Sequence, residues 1–458
     1  MFGSAVSRWT IAHFATALVF FLLAQAAMVA GATFPDLALL TPTTLAAVHL
    51  VTVGWVTILM LGALHQFVPV ITASGAAAGK SALVSLVAIA VGLIGMETGF
   101  IALDGRLGPS AVASLPAGGA LVLTGAAIGA AALARILWQT RPLAFSAQFI
   151  VAGLVFLLVT VTLGFILGLA FAEPALVPWS AAFSDGLRLH LFAGLIGWFT
   201  LTAIGVSYRL LSMFTLAPEE RGGLGTAVIT LSVGGLAVTW LLELAASLGL
   251  GVPTAAIVAA VAATGLGLVL YLADMVRLYR ARRRRQLELN TGMAVPALAA
   301  LAVSLGLGAC AAAAGYPERA VGAAGYLFLF GWLSGLGLSQ LYKIVPFLTW
   351  LERYGSVLGK QAVPRVQDLV DERRDRPWFI LYFAAVAAAT VFIALDRPTL
   401  WRIAVFGHFV ATLMLVRALW LVRHGAPRRA QPAGPRLGQT PAAPPALETP
   451  FTSRSNSP

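Results

Sequence analysis

The chain is an almost unbroken succession of apolar stretches, each about as long as a helix that crosses a lipid bilayer. A membrane-spanning helix needs roughly 20 apolar residues, and such runs recur twelve times. We predict spans at 11–30, 44–71, 81–103, 111–134, 147–170, 189–213, 224–249, 253–276, 293–314, 321–349, 378–396 and 401–422. Because backbone polar groups in hydrocarbon must be paired within the protein, these runs predict an all-α polytopic membrane protein, embedded in a lipid bilayer.

Basic residues are distributed unevenly between the predicted loops, and this asymmetry indicates the orientation. With the N-terminus inside, the outer loops and helix ends carry five of the 30 basic residues: Arg106, Arg188, Arg319, Arg397 and Arg402. Cytoplasmic loops are normally enriched in Lys and Arg. The net charge of +12 therefore reflects membrane topology and not nucleic-acid binding. We predict a multi-pass protein of the cell inner membrane with both termini cytoplasmic.

One sequence pattern occurs three times without gaps. It reads GWVTILMLGALHQFVP at 54–69, GWFTLTAIGVSYRLLS at 197–212 and GWLSGLGLSQLYKIVP at 331–346. Each copy has a hydroxyl residue three positions after the glycine and a small residue at plus eight. Each also has a polar ring at plus eleven, which is His65, Tyr208 or Tyr342. At 100° per residue these positions share one face of a helix, where small residues allow close packing.

The copies fall in predicted spans 2, 6 and 10, four helices apart. A second repeated sequence, FIALD, ends span 3 at 100–104 and span 11 at 392–396. We therefore predict a twelve-helix membrane domain at 1–424, with repeat units at about 1–141, 142–285 and 286–424 that form three pseudo-threefold four-helix arcs. The remaining segment, 425–458, is rich in proline and is predicted to be a disordered cytoplasmic tail.

In these features the sequence resembles the haem-copper oxidase subunit I family, the catalytic subunits of cytochrome oxidases and nitric-oxide reductases. The resemblance is carried by HLVTVGWVTILMLGALHQFVP (49–69), LHLFAGLIGWFTLTAIGVSYRLL (189–211) and GYLFLFGWLSGLGLSQLYKIVPFLTW (325–350). It implies a membrane protein of the respiratory chain, in which histidines near the outer face hold haem and copper. A quinol or a cytochrome would be the electron donor.

The resemblance points to three histidines as cofactor ligands. His49 matches the histidine of helix 2 that binds the low-spin haem, and His190 lies in the region of span 6 that holds the first copper ligand. His408 lies in span 12, at a depth near that of His49, and the family's ring of helices would bring it towards His49. We therefore predict that His49 and His408 hold one haem b, with His190 as the alternative partner or a second site. Helical arithmetic places His49 and His190 on faces roughly 160° apart, which predicts that they face different pores.

Histidines that the family needs elsewhere are missing. Spans 7 and 10 contain none, whereas the family places two on each. A copper site with a single imidazole is not expected to form, so copper is not predicted and a full oxygen-reducing reaction is not expected. The possible activities are electron transfer or nitrogen-oxide chemistry at a haem. A membrane transporter and a haem-free scaffold on the same fold are the alternatives.

Other ionisable groups also lie within the predicted spans. His13 and His65 are expected at the inner level as packing or interfacial histidines, and His424 is expected on the surface. Glu97 and Glu243 lie in the outer half, where an ionised carboxylate is costly unless it is paired or wetted. Each is predicted to be neutral, paired or wetted by a cavity. For Glu243 we predict a neutral, hydrogen-bonded acid at a helix contact, with proton transfer or metal binding as the alternative.

Overall fold

The computed structural model describes residues 8–72, 79–175, 185–218 and 222–425, and in this part of the chain the regular structure is helical, without a β-strand. Twelve of the helices are long and apolar enough to cross a membrane, which confirms the predicted all-α polytopic fold. They are α1 (Trp9–Val29), α2 (Pro42–Ile71), α3 (Lys80–Leu103), α4 (Pro109–Gln139), α5 (Phe145–Ala172), α6 (Leu187–Thr215), α7 (Gly222–Ser247), α8 (Thr254–Arg280), α9 (Leu289–Ala313), α10 (Glu318–Val357), α11 (Glu372–Ala394) and α12 (Pro398–His424). The predicted tail from 426 onwards lies outside the described residues.

The three Gly-Trp helices share a local departure from α-helical geometry. Each contains a π-helical segment, at Leu50–Thr57 in α2, Phe192–Leu201 in α6 and Leu327–Ser334 in α10. A π-turn pairs residues five apart instead of four. The hydroxyl at plus three is matched to this spacing, because each one donates to the carbonyl five residues earlier. The three bonds are Thr57 to Thr52 at 2.9 Å, Thr200 to Leu195 at 2.7 Å and Ser334 to Leu329 at 2.7 Å.

The repeated tryptophans link these helices to one another. The Trp55 indole Nε1–H donates to Ser334 Oγ at 2.9 Å, and the Trp198 indole donates to Thr57 Oγ1 at 3.1 Å. Each repeat thus donates from its tryptophan to the plus-three hydroxyl of another repeat. The third bond, from Trp332 to Thr200, is not formed, and Trp332 Nε1 is buried without a partner in the described structure. The pseudo-threefold arrangement is therefore bonded along two of its three sides, α6–α2 and α2–α10.

The glycine of each Gly-Trp pair brings its helix against the first helix of its own predicted arc. A Cβ added to Gly54 would lie 2.6 Å from Phe20 Cβ of α1, and one added to Gly197 would lie 2.4 Å from Phe156 Cγ of α5. At Gly331 the nearest atom is Ala300 Cβ of α9, at 2.8 Å. Side chains larger than glycine do not fit at these distances. The same contact recurs on α1, α5 and α9, the first helix of each predicted repeat unit.

The unequal tryptophan bonds predict unequal effects of the same substitution. Replacing Trp55 or Trp198 with Phe removes an indole donor that is satisfied, whereas Trp332→Phe removes one that has no partner. Since a buried hydrogen bond contributes about 1 kcal/mol and all three rings are buried, we expect Trp332→Phe to be less destabilising by about that amount. Thermal melts of the three purified variants test this. Equal losses of stability in all three would contradict it.

Candidate functional site

His49 and His190 line one cavity near the N-terminal ends of α2 and α6. Its walls come from α2 to α6 and include leucines, Met96, Phe100 and Phe171. His49 is the eighth residue of α2 and His190 the fourth of α6. Because helices four apart in the series run in the same direction, both histidines lie within about 10 Å of the same end of the bundle. The cavity therefore brings together two imidazoles that are far apart in the sequence.

Each of these imidazoles is oriented by a backbone carbonyl. His49 Nδ1–H donates to the carbonyl of Leu45 at 2.7 Å, one turn earlier in α2, and not to the hydroxyl of Thr52. His190 Nδ1–H donates across the helix boundary to the carbonyl of Thr160 in α5, at 3.0 Å. An Nδ1–H bond of this kind leaves the Nε2 lone pair for a metal and sets the direction of the ring. Both histidines are therefore in the tautomer that can act as a neutral metal ligand through Nε2.

Small residues on the surrounding helices leave room beside the histidines. Gly119 of α4 and Gly164 and Gly168 of α5 line the cavity. A Cβ added to Gly164 would lie 3.0 Å from His190 Cε1, so that glycine allows α5 to lie directly against the ring. The free space is about 60 Å³, which holds a few water molecules and is smaller than a porphyrin. A macrocycle would therefore need flexible side chains such as Met96 and Leu167 to turn outward.

The shared cavity corrects the expectation that His49 and His190 face different pores. The 160° offset was counted on each helix from its own Gly-Trp pair. In a threefold arrangement α6 is itself rotated by about 120° relative to α2, so the offset does not give the angle between the two histidines in the bundle. Two neighbouring helices must use opposite sides to face a space between them. In addition, the π-helical segments change the angle per residue between each histidine and its Gly-Trp pair.

His408 does not line the cavity that holds His49, and its pairing with His49 stays a prediction. Its Nε2 shares a hydrogen bond with the Tyr326 hydroxyl at 2.7 Å, and its ring is packed among Tyr326, Phe330 and Tyr382. The neighbours thus come from α10 and α11. α1 packs against both α2 and α12. Its Phe21 stacks on Trp55, and its Gln25 donates to Thr412 on α12.

The remaining histidines follow the sequence expectation. His13 and His65 face each other across α1 and α2 with ring centroids 5.8 Å apart, which confirms their common level. Both are buried, and their Nε2 atoms have no partner in the described structure. Their approach depends on Gly62, since a Cβ there would lie 2.4 Å from His13 Cβ. His424 is exposed and stacks on Trp420 at 3.7 Å between centroids, as expected for a surface residue.

Glu97 and Glu243 have different environments. Glu243 on α7 lies 3.9 Å from Arg188, which also pairs with Asp185 at 2.8 Å. Glu243 therefore has a guanidinium at the limit of ion-pair distance. Glu97 on α3 has a buried Oε1 without a hydrogen-bond partner in the described structure, as is compatible with a protonated carboxyl group. Neither acid lines the cavity that holds His49 and His190.

Two contacts of the candidate site were not foreseen from the sequence. Thr160 contributes its backbone carbonyl to His190, and Gly164 supplies the space for the ring. Both belong to α5, whose sequence in that region is apolar apart from Thr160 and Thr162. A backbone acceptor carries no residue-type signal, so only the packing of α5 on α6 identifies it.

Similarity to known proteins does not add to this picture: no protein-family model matches the chain, and no curated protein matches it significantly. The functional assignment therefore depends on the geometry of the site.

Proposed function

We propose that the chain is an integral membrane haem-binding protein that takes a low-spin haem b between His49 and His190. The observation that carries this proposal is the pair of imidazoles lining one cavity, each with Nδ1–H bound to a backbone carbonyl. Neutral imidazole is a common axial ligand of haem iron. His408, the partner favoured by the sequence, is not included because its Nε2 is bonded to Tyr326.

The protein's own groups would set the properties of such a site. The carbonyls of Leu45 and Thr160 orient the two rings and raise their basicity as ligands. Phe100, whose ring centroid lies 5.2 Å from that of His49, and the surrounding leucines exclude water. Haem supplies a one-electron carrier when it is bound. We infer a role in electron transfer or nitrogen-oxide chemistry in the inner membrane, with a quinol or a cytochrome as donor, and with the termini in the cytoplasm.

We do not propose oxygen reduction at a haem-copper centre. α7 and α10 contain no histidine, so the imidazoles that would complete a copper site are missing there. We expect elemental analysis of the purified protein to give iron in proportion to haem and copper far below one per chain. One copper per chain together with oxygen consumption would contradict this prediction.

The test of the proposed function is a reduced-minus-oxidised absorption spectrum of the purified protein. Six-coordinate haem b gives sharp α and β bands on reduction, and pyridine extraction then counts the haem per chain. A colourless preparation from cells that make enough haem would reject the proposal. It would favour the alternatives of a membrane transporter or a haem-free scaffold.

A further inference from the structure

A basic groove lies between α11 and α12, on the face of the bundle where α1 begins and α12 ends. It is lined by Arg374, Asp375, Pro377 and Trp378 of α11 and by Met414, Arg417 and Ala418 of α12. The free space in it is about 190 Å³. The groove is remote from the histidine cavity, which lies near the opposite ends of the helices.

The charges in the groove do not cancel. Asp375 is 2% exposed and accepts from Arg374 Nε at 2.9 Å and from the Tyr342 hydroxyl at 2.8 Å. This carboxylate holds the Arg374 guanidinium at the groove and neutralises it. Arg417 is exposed and has no acidic partner in the part of the chain that the structure describes. The groove therefore retains one uncompensated positive charge on a planar guanidinium.

The groove continues into the apolar surface of the bundle. Arg374, Pro377, Trp378 and Leu381 follow the three-and-four spacing of one helix face, and Leu381 is 37% exposed. A molecule with its charge at the arginines would thus meet Trp378 at the level of the membrane interface and apolar side chains further in. Tryptophan is enriched at that level because its ring is amphipathic.

We propose that this groove binds the phosphodiester headgroup of an anionic phospholipid in the leaflet at this face of the bundle. Arg417 donates two parallel hydrogen bonds to the phosphate, the geometry for which guanidinium is suited. Arg374, held by Asp375, donates from the other wall. The acyl chains run along Trp378 and Leu381. Basic pockets between membrane helices are a recurrent form of lipid site, and this one does not depend on haem.

The experiment measures the apparent melting temperature of the full chain in detergent, titrated separately with phosphatidylglycerol, phosphatidylcholine and inorganic phosphate. We expect saturable stabilisation by phosphatidylglycerol alone. Arg417→Gln should raise the half-saturating concentration at least about tenfold, because it removes the guanidinium that makes both charge-assisted hydrogen bonds. Arg417→Lys keeps the charge and is expected to bind more weakly than the unchanged chain, because an ammonium group cannot make the two parallel bonds.

Arg280→Gln is the matched control, since it removes an exposed arginine at the same face of the bundle, on α8. It should leave the titration unchanged. Equal stabilisation by phosphatidylcholine, an unchanged titration in both Arg417 variants, or an equal loss in the control would overturn the proposal. Full stabilisation by inorganic phosphate alone would overturn the lipid assignment in favour of a free anion.

Discussion

His49→Ala and His190→Ala are each expected to abolish the low-spin haem spectrum, while His408→Ala retains it. Removing either axial imidazole leaves at most five-coordinate iron, which lacks the sharp α and β bands of the six-coordinate form. His408 has Tyr326 as its partner and is packed on α10 and α11. Its removal should lower stability by about 1–3 kcal/mol through the unpaired phenol, without changing the ligands.

The measurement is haem per chain and the spectral form of each purified variant, compared at equal protein concentration. His424→Ala, on the surface, serves as the control for any general effect of losing a histidine. A full and unshifted spectrum in His49→Ala would end the haem assignment of this residue. Loss of the bands in His408→Ala together with their retention in His190→Ala would restore the pairing that the sequence favoured.

Gly118→Ala is expected to be among the most destabilising single-methyl changes in the protein. α3 and α4 touch through their backbones, because a Cβ on Gly118 would lie 2.4 Å from the carbonyl oxygen of Gly92 and 2.5 Å from the amide nitrogen of Met96. Backbone atoms cannot rotate away, so the two helices must separate. Overpacking of this kind costs typically 1–3 kcal/mol, and rigid neighbours put it at the upper end.

Gly265→Ala is the matched control, since Gly265 is also a helical glycine in a membrane span but has no atom within 4 Å of an added Cβ. There the same change should be neutral or slightly stabilising, as it limits the freedom of the unfolded chain. Melting temperatures measured side by side in one detergent would reveal the difference. Equal melting temperatures of the two variants would contradict the close backbone contact between α3 and α4.

The architecture could be predicted from the sequence because the length and apolar composition of a segment identify a membrane-spanning helix. The threefold pattern was also readable, since Gly54, Gly197 and Gly331 recur with their tryptophans at a constant offset. The hydrogen-bond acceptors of those tryptophans could not be predicted from the sequence. Trp55 and Trp198 find acceptors in other repeats, and that choice depends on how the helices are rotated about their axes.

The candidate site was predicted in part for the same reason. His49 and His190 were identified as unusual within apolar helices, but their mutual position was not, because α-helical arithmetic omits the π-turns and the rotation between repeats. His408 packs among Tyr326, Phe330 and Tyr382 of α10 and α11, while α1 contacts both α2 and α12. These are long-range packing effects, and no local pattern in the chain encodes them.

Because the bond between Trp332 and Thr200 is missing, the three central helices are not equally linked by hydrogen bonds. α2 is hydrogen-bonded to α6 through Trp198 and to α10 through Trp55. No tryptophan of the repeat links α6 to α10. Thermal fluctuations that separate the central helices are therefore expected to begin between α6 and α10, because no indole hydrogen bond has to break there. α2, which carries His49, is then the helix that stays hydrogen-bonded on both sides, to α6 and to α10.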